Sequence, residues 1–300
     1  KYYFLSRPRR FGKSLLLSTI EAYALGKKEL FKGLALEKLE KNWTVYPVLH
    51  LDLNTQKYDT AEALTNVLEE NVQNWEAIYG SSSREIGVAR RFQGIIRRAC
   101  EQTGHRVVIL IDEYDKPMLQ AIGNEALQNE YRSTLKAFYG ALKSMDGCIR
   151  FALLTGVTKF GKVSVFSDLN NLMDISMDDR YAEICGISEK EIHTYFEEDI
   201  CELATATKKS YEETCKELQI NYDGYHFTEN AIGMYNPFSL LNTFAKKRFG
   251  SYWFETGTPT YLVELLKLHH YPIEELEHIV TSQPVLDSID TASTDPIPVI

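Results

Sequence analysis

The sequence predicts an α/β fold, with a mostly parallel sheet flanked by helices and a mostly helical region after it. Three observations predict it. Residues 107–111 and 149–154 are largely apolar runs, as strands buried on both faces of a parallel sheet are. Such runs alternate with segments of helical spacing. After about Gly186 the strand-like runs cease and helical spacing dominates.

Taken in order, residues 2–6 form a short apolar run. Residues 14–25 follow with helical periodicity, which Gly26 stops. Residues 47–54, "PVLHLDLN", alternate as a strand. Asp59 or Thr60 caps a helix to about Tyr79, where Gly80 and the serines after it break the pattern. A further helix over residues 84–102 ends at Gly104. The strand 107–111 comes next, then a helix over 125–143, a turn at Asp146-Gly147 and the strand 149–154. Residues 181–185 read as a fifth, shorter strand. Ser188 and Glu191 then form a capping box that opens a helix, and helices follow over 208–220, 237–247 and 258–269. Residues 221–237 form a turn-rich aromatic insert. The expected organisation is a core at 1–185, a helical lid or winged-helix-like region at 186–285, and a linker at 286–300.

The composition, 44% hydrophobic and 25% charged, is that of an ordinary globular chain. A net charge of −9 argues against a nonspecific nucleic-acid binder, because phosphate backbones favour basic surfaces. Cys100, Cys148, Cys185, Cys201 and Cys215 form no Cys-x-x-Cys pair, so reduced thiols in a cytoplasmic protein are expected. Adjacent His269 and His270 diverge and make no metal site. No apolar run approaches the ~20 residues a membrane helix needs. Residue 1 is Lys, and residues 2–5 already read as a core strand, so the expectation is a piece of a longer protein.

The stretch "RPRRFGKS", residues 7–14, supplies the second half of the phosphate-loop pattern G-x-x-x-x-G-K-[ST], with Arg7 where the first glycine belongs. It sits between a predicted strand and an amphipathic helix, where backbone N–H groups and a helix N-terminus can face phosphates. Pro8 biases Arg7 towards extended backbone, which needs no glycine. The expected contacts run over Arg9, Arg10, Phe11, Gly12, Lys13, Ser14 and Leu15, with Lys13 on the β/γ-phosphates and the Ser14 hydroxyl on Mg²⁺. At the end of the next buried strand, Asp112 would hold Mg²⁺ and Glu113 would polarise the attacking water. Asp115 has a site role or a structural one before Pro117. Thr155 ends another strand, where a sensor of the γ-phosphate would stand; a threonine satisfying a strand-end carbonyl is the open alternative. The roles of Arg180, the nearest arginine-finger candidate, and of His226 stay open.

Together with "VVILIDEYDKPML", "YDGYHF" and "YNPFSLLN", the opening segment resembles the bacterial AAA-ATPase-like family, related to archaeal and signal-transducing P-loop ATPases. The resemblance runs from residue 1 to about 295. That family's loop also reads Arg-Pro-Arg-Arg-Phe-Gly-Lys-Ser. The resemblance implies a P-loop NTPase fold, ATP or ADP with Mg²⁺ as cofactors, and a nucleotide switch controlling an attached effector. Members often carry a C-terminal PD-(D/E)xK nuclease domain. No lysine here has Asp or Glu two places before it, so an effector of that kind would lie beyond Ile300. Self-association is left open, and neither membrane nor nucleic acid is indicated as a partner. Two rival readings remain: a nucleotide-binding interaction module with little turnover, and a nucleic-acid effector using residues 7–13 as a basic patch.

Overall fold

The computed structural model describes residues 1–158, 165–166, 169, 171–228 and 232–253. They fall into two compact units. The first comprises Lys1–Ser6 and Leu17–Met173, and the second comprises Arg7–Leu16 with the described residues from Asp174 onward. The second unit thus begins ahead of the expected boundary at 185 and takes in the glycine-lysine loop.

The sheet is built from β1 (Tyr2–Ser6), β2 (Val48–Asp52), β3 (Val107–Asp112), β4 (Ile149–Gly156) and β5 (Leu172–Asp174), in the order β2-β3-β4-β1-β5. The β2/β3, β3/β4 and β4/β1 pairs are parallel. Parallel neighbours require crossovers, which the helices supply. These are α1 (Lys13–Ala24) and α2 (Ala35–Leu39) before β2, α3 (Ala61–Tyr79) and α4 (Val88–Thr103) before β3, and α5 (Lys116–Gln120) and α6 (Glu125–Ser144) before β4. All of β3 is buried, which is why its sequence is an unbroken apolar run. Its core continues into the helices, where Phe92 stacks between Trp75 and Phe138 at 5.4 and 4.3 Å.

Two expectations change. The helix expected from 84 begins at Val88, because Gly87 holds φ of 83° at its N-cap and Glu85 stays outside to receive Arg98. Residues 181–185 form no strand. A 3₁₀ turn spans Asp179–Tyr181, capped by the Asp178 side chain, and the fifth strand is Leu172–Asp174 instead.

In the second unit, β6 (Ile187–Ser188) pairs antiparallel with β7 (Met234–Tyr235). Around them stand α7 (Glu189–Tyr195), α8 (Glu197–Thr207), α9 (Tyr211–Tyr222) and α10 (Pro237–Lys246). The Ser188/Glu191 capping box forms as expected, and Ser210/Glu213 repeats it at α9. This unit has its own core, centred on Ile200, Leu203, Leu218, Leu240 and Phe244. The expected helix at 258–269 and the linker at 286–300 lie outside the described residues. Among the described residues no helix is long and apolar enough to cross a membrane, and the five cysteines are free thiols.

Candidate functional site

The loop from Arg7 to Ser14 is organised by its first residue. Arg7 is 1% exposed, although it occupies a position that suggests a surface charge. Its Nε donates to the Ile184 carbonyl (3.1 Å), Nη1 to that of Ser176 (2.7 Å) and Nη2 to that of Tyr181 (3.0 Å). The guanidinium also lies 3.9 Å from the Phe227 ring centroid. Burial lowers its pKa to about 10, so it remains charged at neutral pH. The carbonyls of Tyr181 and Ile184 serve Arg7, and the Tyr181 carbonyl also accepts from Ile184 N (3.1 Å), so this segment turns where a strand was expected.

Left-handed backbone falls on Arg10 (φ 68°) and Gly12 (φ 92°), while position 7 has none, as Pro8 predicts. Gly12 is needed for that conformation alone, since a Cβ there would meet nothing within 4 Å. The Gly12 carbonyl accepts from Leu16 N at 2.9 Å and starts α1. Lys13 is buried and arches back over the loop, its Nζ donating to the carbonyls of Arg7 (3.0 Å) and Pro8 (3.3 Å). Ser14 and Leu15 are exposed on the first turn of α1.

The remaining loop side chains are anchored by aromatic groups of the same unit. Phe11 is buried edge-on against Tyr225 and Phe227, at 4.6 and 5.5 Å. Arg10 lies 4.9 Å from the Phe238 ring, and the Arg9 carbonyl accepts from Trp253 Nε1 at 3.2 Å. Any ligand contact from Phe11 would therefore come from its backbone. His226 is exposed, and Arg180 is exposed and paired with Asp178 at 2.6 Å.

In the first unit the strand ends gather the acids. Asp112 is buried, and its Oδ1 accepts from Thr155 Oγ1 at 2.5 Å and from Glu113 N at 3.1 Å. Thr155, fully buried, thus orients this carboxylate; its bond to the Ile111 carbonyl is long, at 3.5 Å. Glu113 is half-buried with φ of 55°, a left-handed conformation that a non-glycine residue holds only against strain. Asp115 is the N-cap residue of α5, but its side chain makes no cap bond. Its Oδ2 accepts from Val157 N, Thr158 N and Thr158 Oγ1 at 2.8 to 3.0 Å and ties down the segment leaving β4. One further acid went unrecognised in the sequence. Asp52 is in register with Asp112 across the β2/β3 pair, and the only hint was its place at the end of an alternating strand.

Gly156 makes this turn possible. A Cβ there would lie 2.5 Å from the Tyr114 ring and 3.0 Å from the Asp115 carboxyl carbon. Tyr114 is fully buried, edge-on to Phe4 at 5.3 Å, and cannot give way. Gly156→Ala is therefore expected to cost about 1–3 kcal/mol of stability, read as a lower urea midpoint at unchanged slope.

A family profile described as "Predicted AAA-ATPase" (AAA-ATPase-like) matches residues 1–166. The chain is also 38% identical over 290 residues to an uncharacterized protein from the vnfD 5′ region of Azotobacter chroococcum mcd 1. That alignment covers 96% of this chain and 54% of the relative, so the chain spans about half the relative's length. No solved structure matches.

Proposed function

Because the chain belongs to the AAA-ATPase-like family of predicted ATPases, we propose that it is a Mg²⁺-dependent ATP-hydrolysing switch that controls an attached effector. The observation that carries this reading is the loop itself: a left-handed Gly12, a buried Lys13 and an exposed Ser14 opening a twelve-residue helix. A loop of this kind presents N–H groups, a helix N-terminus and an ammonium to phosphate. Lys13 Nζ donates to two loop carbonyls, and phosphate oxygens are stronger, charged acceptors. Chain topology adds support. β1 and β3 belong to one parallel sheet, so Ser6 and Asp112 end their strands at the same edge of that sheet.

Ser14 and Asp112 are oxygen donors, as Mg²⁺ prefers. Among the described residues no group of three or more His, Cys, Asp and Glu could hold a metal. Mg²⁺ takes one or two carboxylates and completes its shell with phosphate and water. When bound, Mg²⁺ would neutralise charge on the phosphate oxygens. Glu113 would take the proton of the attacking water, held next to Asp112 by its own N–H bond to that carboxylate. The rival basic-patch reading loses Arg7, which is inside the protein.

Lys13→Ala tests the loop. ATP affinity measured by calorimetry is expected to fall about 10- to 100-fold, the effect of one or two charge-assisted hydrogen bonds, with the circular dichroism spectrum kept. Unchanged affinity would remove the phosphate-loop assignment.

A further inference from the structure

The first unit holds two of the five thiols against one another. Cys100 lies in the last turn of α4, and the Gly104 N–H returns to its carbonyl at 3.0 Å as the chain turns towards β3. Cys148 ends a 3₁₀ turn, Asp146–Cys148, that leads straight into β4. Val107 pairs with Ile149 where these two parallel strands begin, so Cys148 and Arg106 are neighbours at that end of the sheet. Both cysteines are half-buried and pack on the same hydrophobic core. The Cys100 thiol is hydrogen-bonded to Cys148.

A cysteine at the margin of a core packs as a small apolar group and needs no second sulfur beside it. Two thiols in contact, from elements far apart in the sequence, meet the first requirement of a disulfide, which is side chains already close together. Burial raises the Cys100 pKa above the ordinary thiol value, the bond to Cys148 adds to this, and Arg106 acts in the opposite sense. Cys100 is therefore slow as a first nucleophile and suits the second step of an oxidation.

We propose that Cys100 and Cys148 form a redox site, at which a hydroperoxide converts the pair into a disulfide that braces β3 and the acids at its end. The Cys148 sulfur takes one oxygen of hydrogen peroxide as the O–O bond breaks, which gives a sulfenic acid and one water. The Cys100 sulfur then attacks that sulfur. The S–S bond forms, the S–O bond breaks and a second water leaves. The two sulfurs lose two electrons in all, the peroxide gains them, and a small dithiol reverses the change. The bridge closes a loop that contains β3, Asp112 and Glu113, and so restricts the unfolded chain more than the folded one. The inference is independent of what those acids do.

The test treats the full chain with hydrogen peroxide, blocks the remaining thiols and digests the monomeric fraction with trypsin. The tryptic peptides 99–106 and 144–150 carry the two cysteines. They are expected joined, lighter than their sum by two hydrogens, and separated again by dithiothreitol. In Cys148→Ser, peptide 99–106 should stay unlinked; Cys100→Ala takes its place, with 144–150 unlinked, if the serine variant does not fold. The urea midpoint of the oxidised wild type is expected about 1 M above that of the same sample after dithiothreitol, a difference the variant lacks. Unlinked peptides, sulfinic acid in place of the link, or linkage of either cysteine to Cys185, Cys201 or Cys215 would overturn the site. A linked chain that unfolds at the same or lower urea would overturn the brace.

Discussion

Arg7→Gly, which restores the general phosphate-loop pattern, is expected to destabilise the protein by about 3–5 kcal/mol rather than improve the loop. The guanidinium serves carbonyls of Ser176, Tyr181 and Ile184, and lies against Phe227. Removing it leaves those carbonyls without that donor in the interior and opens the space of a large buried side chain. Glycine adds backbone entropy to the unfolded chain, a further ~0.5–1 kcal/mol. Against a typical total of 5–15 kcal/mol, this is a large share. Arg7→Lys should rescue little, because one ammonium cannot reach three carbonyls with the geometry of a planar fork. Urea denaturation followed by tryptophan fluorescence reads the effect through Trp253, which bonds the neighbouring Arg9 carbonyl. A glycine variant as stable as wild type would show that the arginine does not anchor the loop.

This arginine also marks the limit of what the sequence conveys. Pro8 was enough to show that position 7 needs no positive φ. Nothing in the residue types of 176–184 announces that their carbonyls serve a side chain some 170 positions earlier, because backbone oxygens leave no mark in a sequence. The same blindness produced the strand expected at 181–185, where the carbonyls of Tyr181 and Ile184 serve Arg7. β3 was legible because burial on both faces forces a continuous apolar run, and α9 and α10 because helical spacing is a local feature. Asp112 and Glu113 were legible as a pair of acids at a strand end. The bond from Thr155 to Asp112 needed the β3/β4 register, which only the folded sheet provides. β5 is three residues long, too short to show any period.

Glu113→Gln is expected to lower the rate of phosphate release from ATP by about 10²- to 10⁴-fold, the range of general-base catalysis, while ATP affinity stays within a few-fold of wild type. Glutamine keeps the shape, the exposure and the backbone N–H bond to Asp112 and removes only the basic oxygen. The backbone offers a second comparison. Glu113 holds φ of 55°, a conformation glycine adopts freely. If catalysis is what retains an acid there, Glu113→Gly should be as stable as wild type or up to ~1 kcal/mol more so, yet hydrolyse as poorly as the glutamine variant. A turn kept for purely structural reasons would give the opposite pattern, a less stable glycine variant with unchanged turnover. Equal, slow release by wild type and Glu113→Gln would instead favour a module that holds nucleotide without turning it over. Lys13 would then control occupancy, and the acids at the end of β3 would position the metal without activating water.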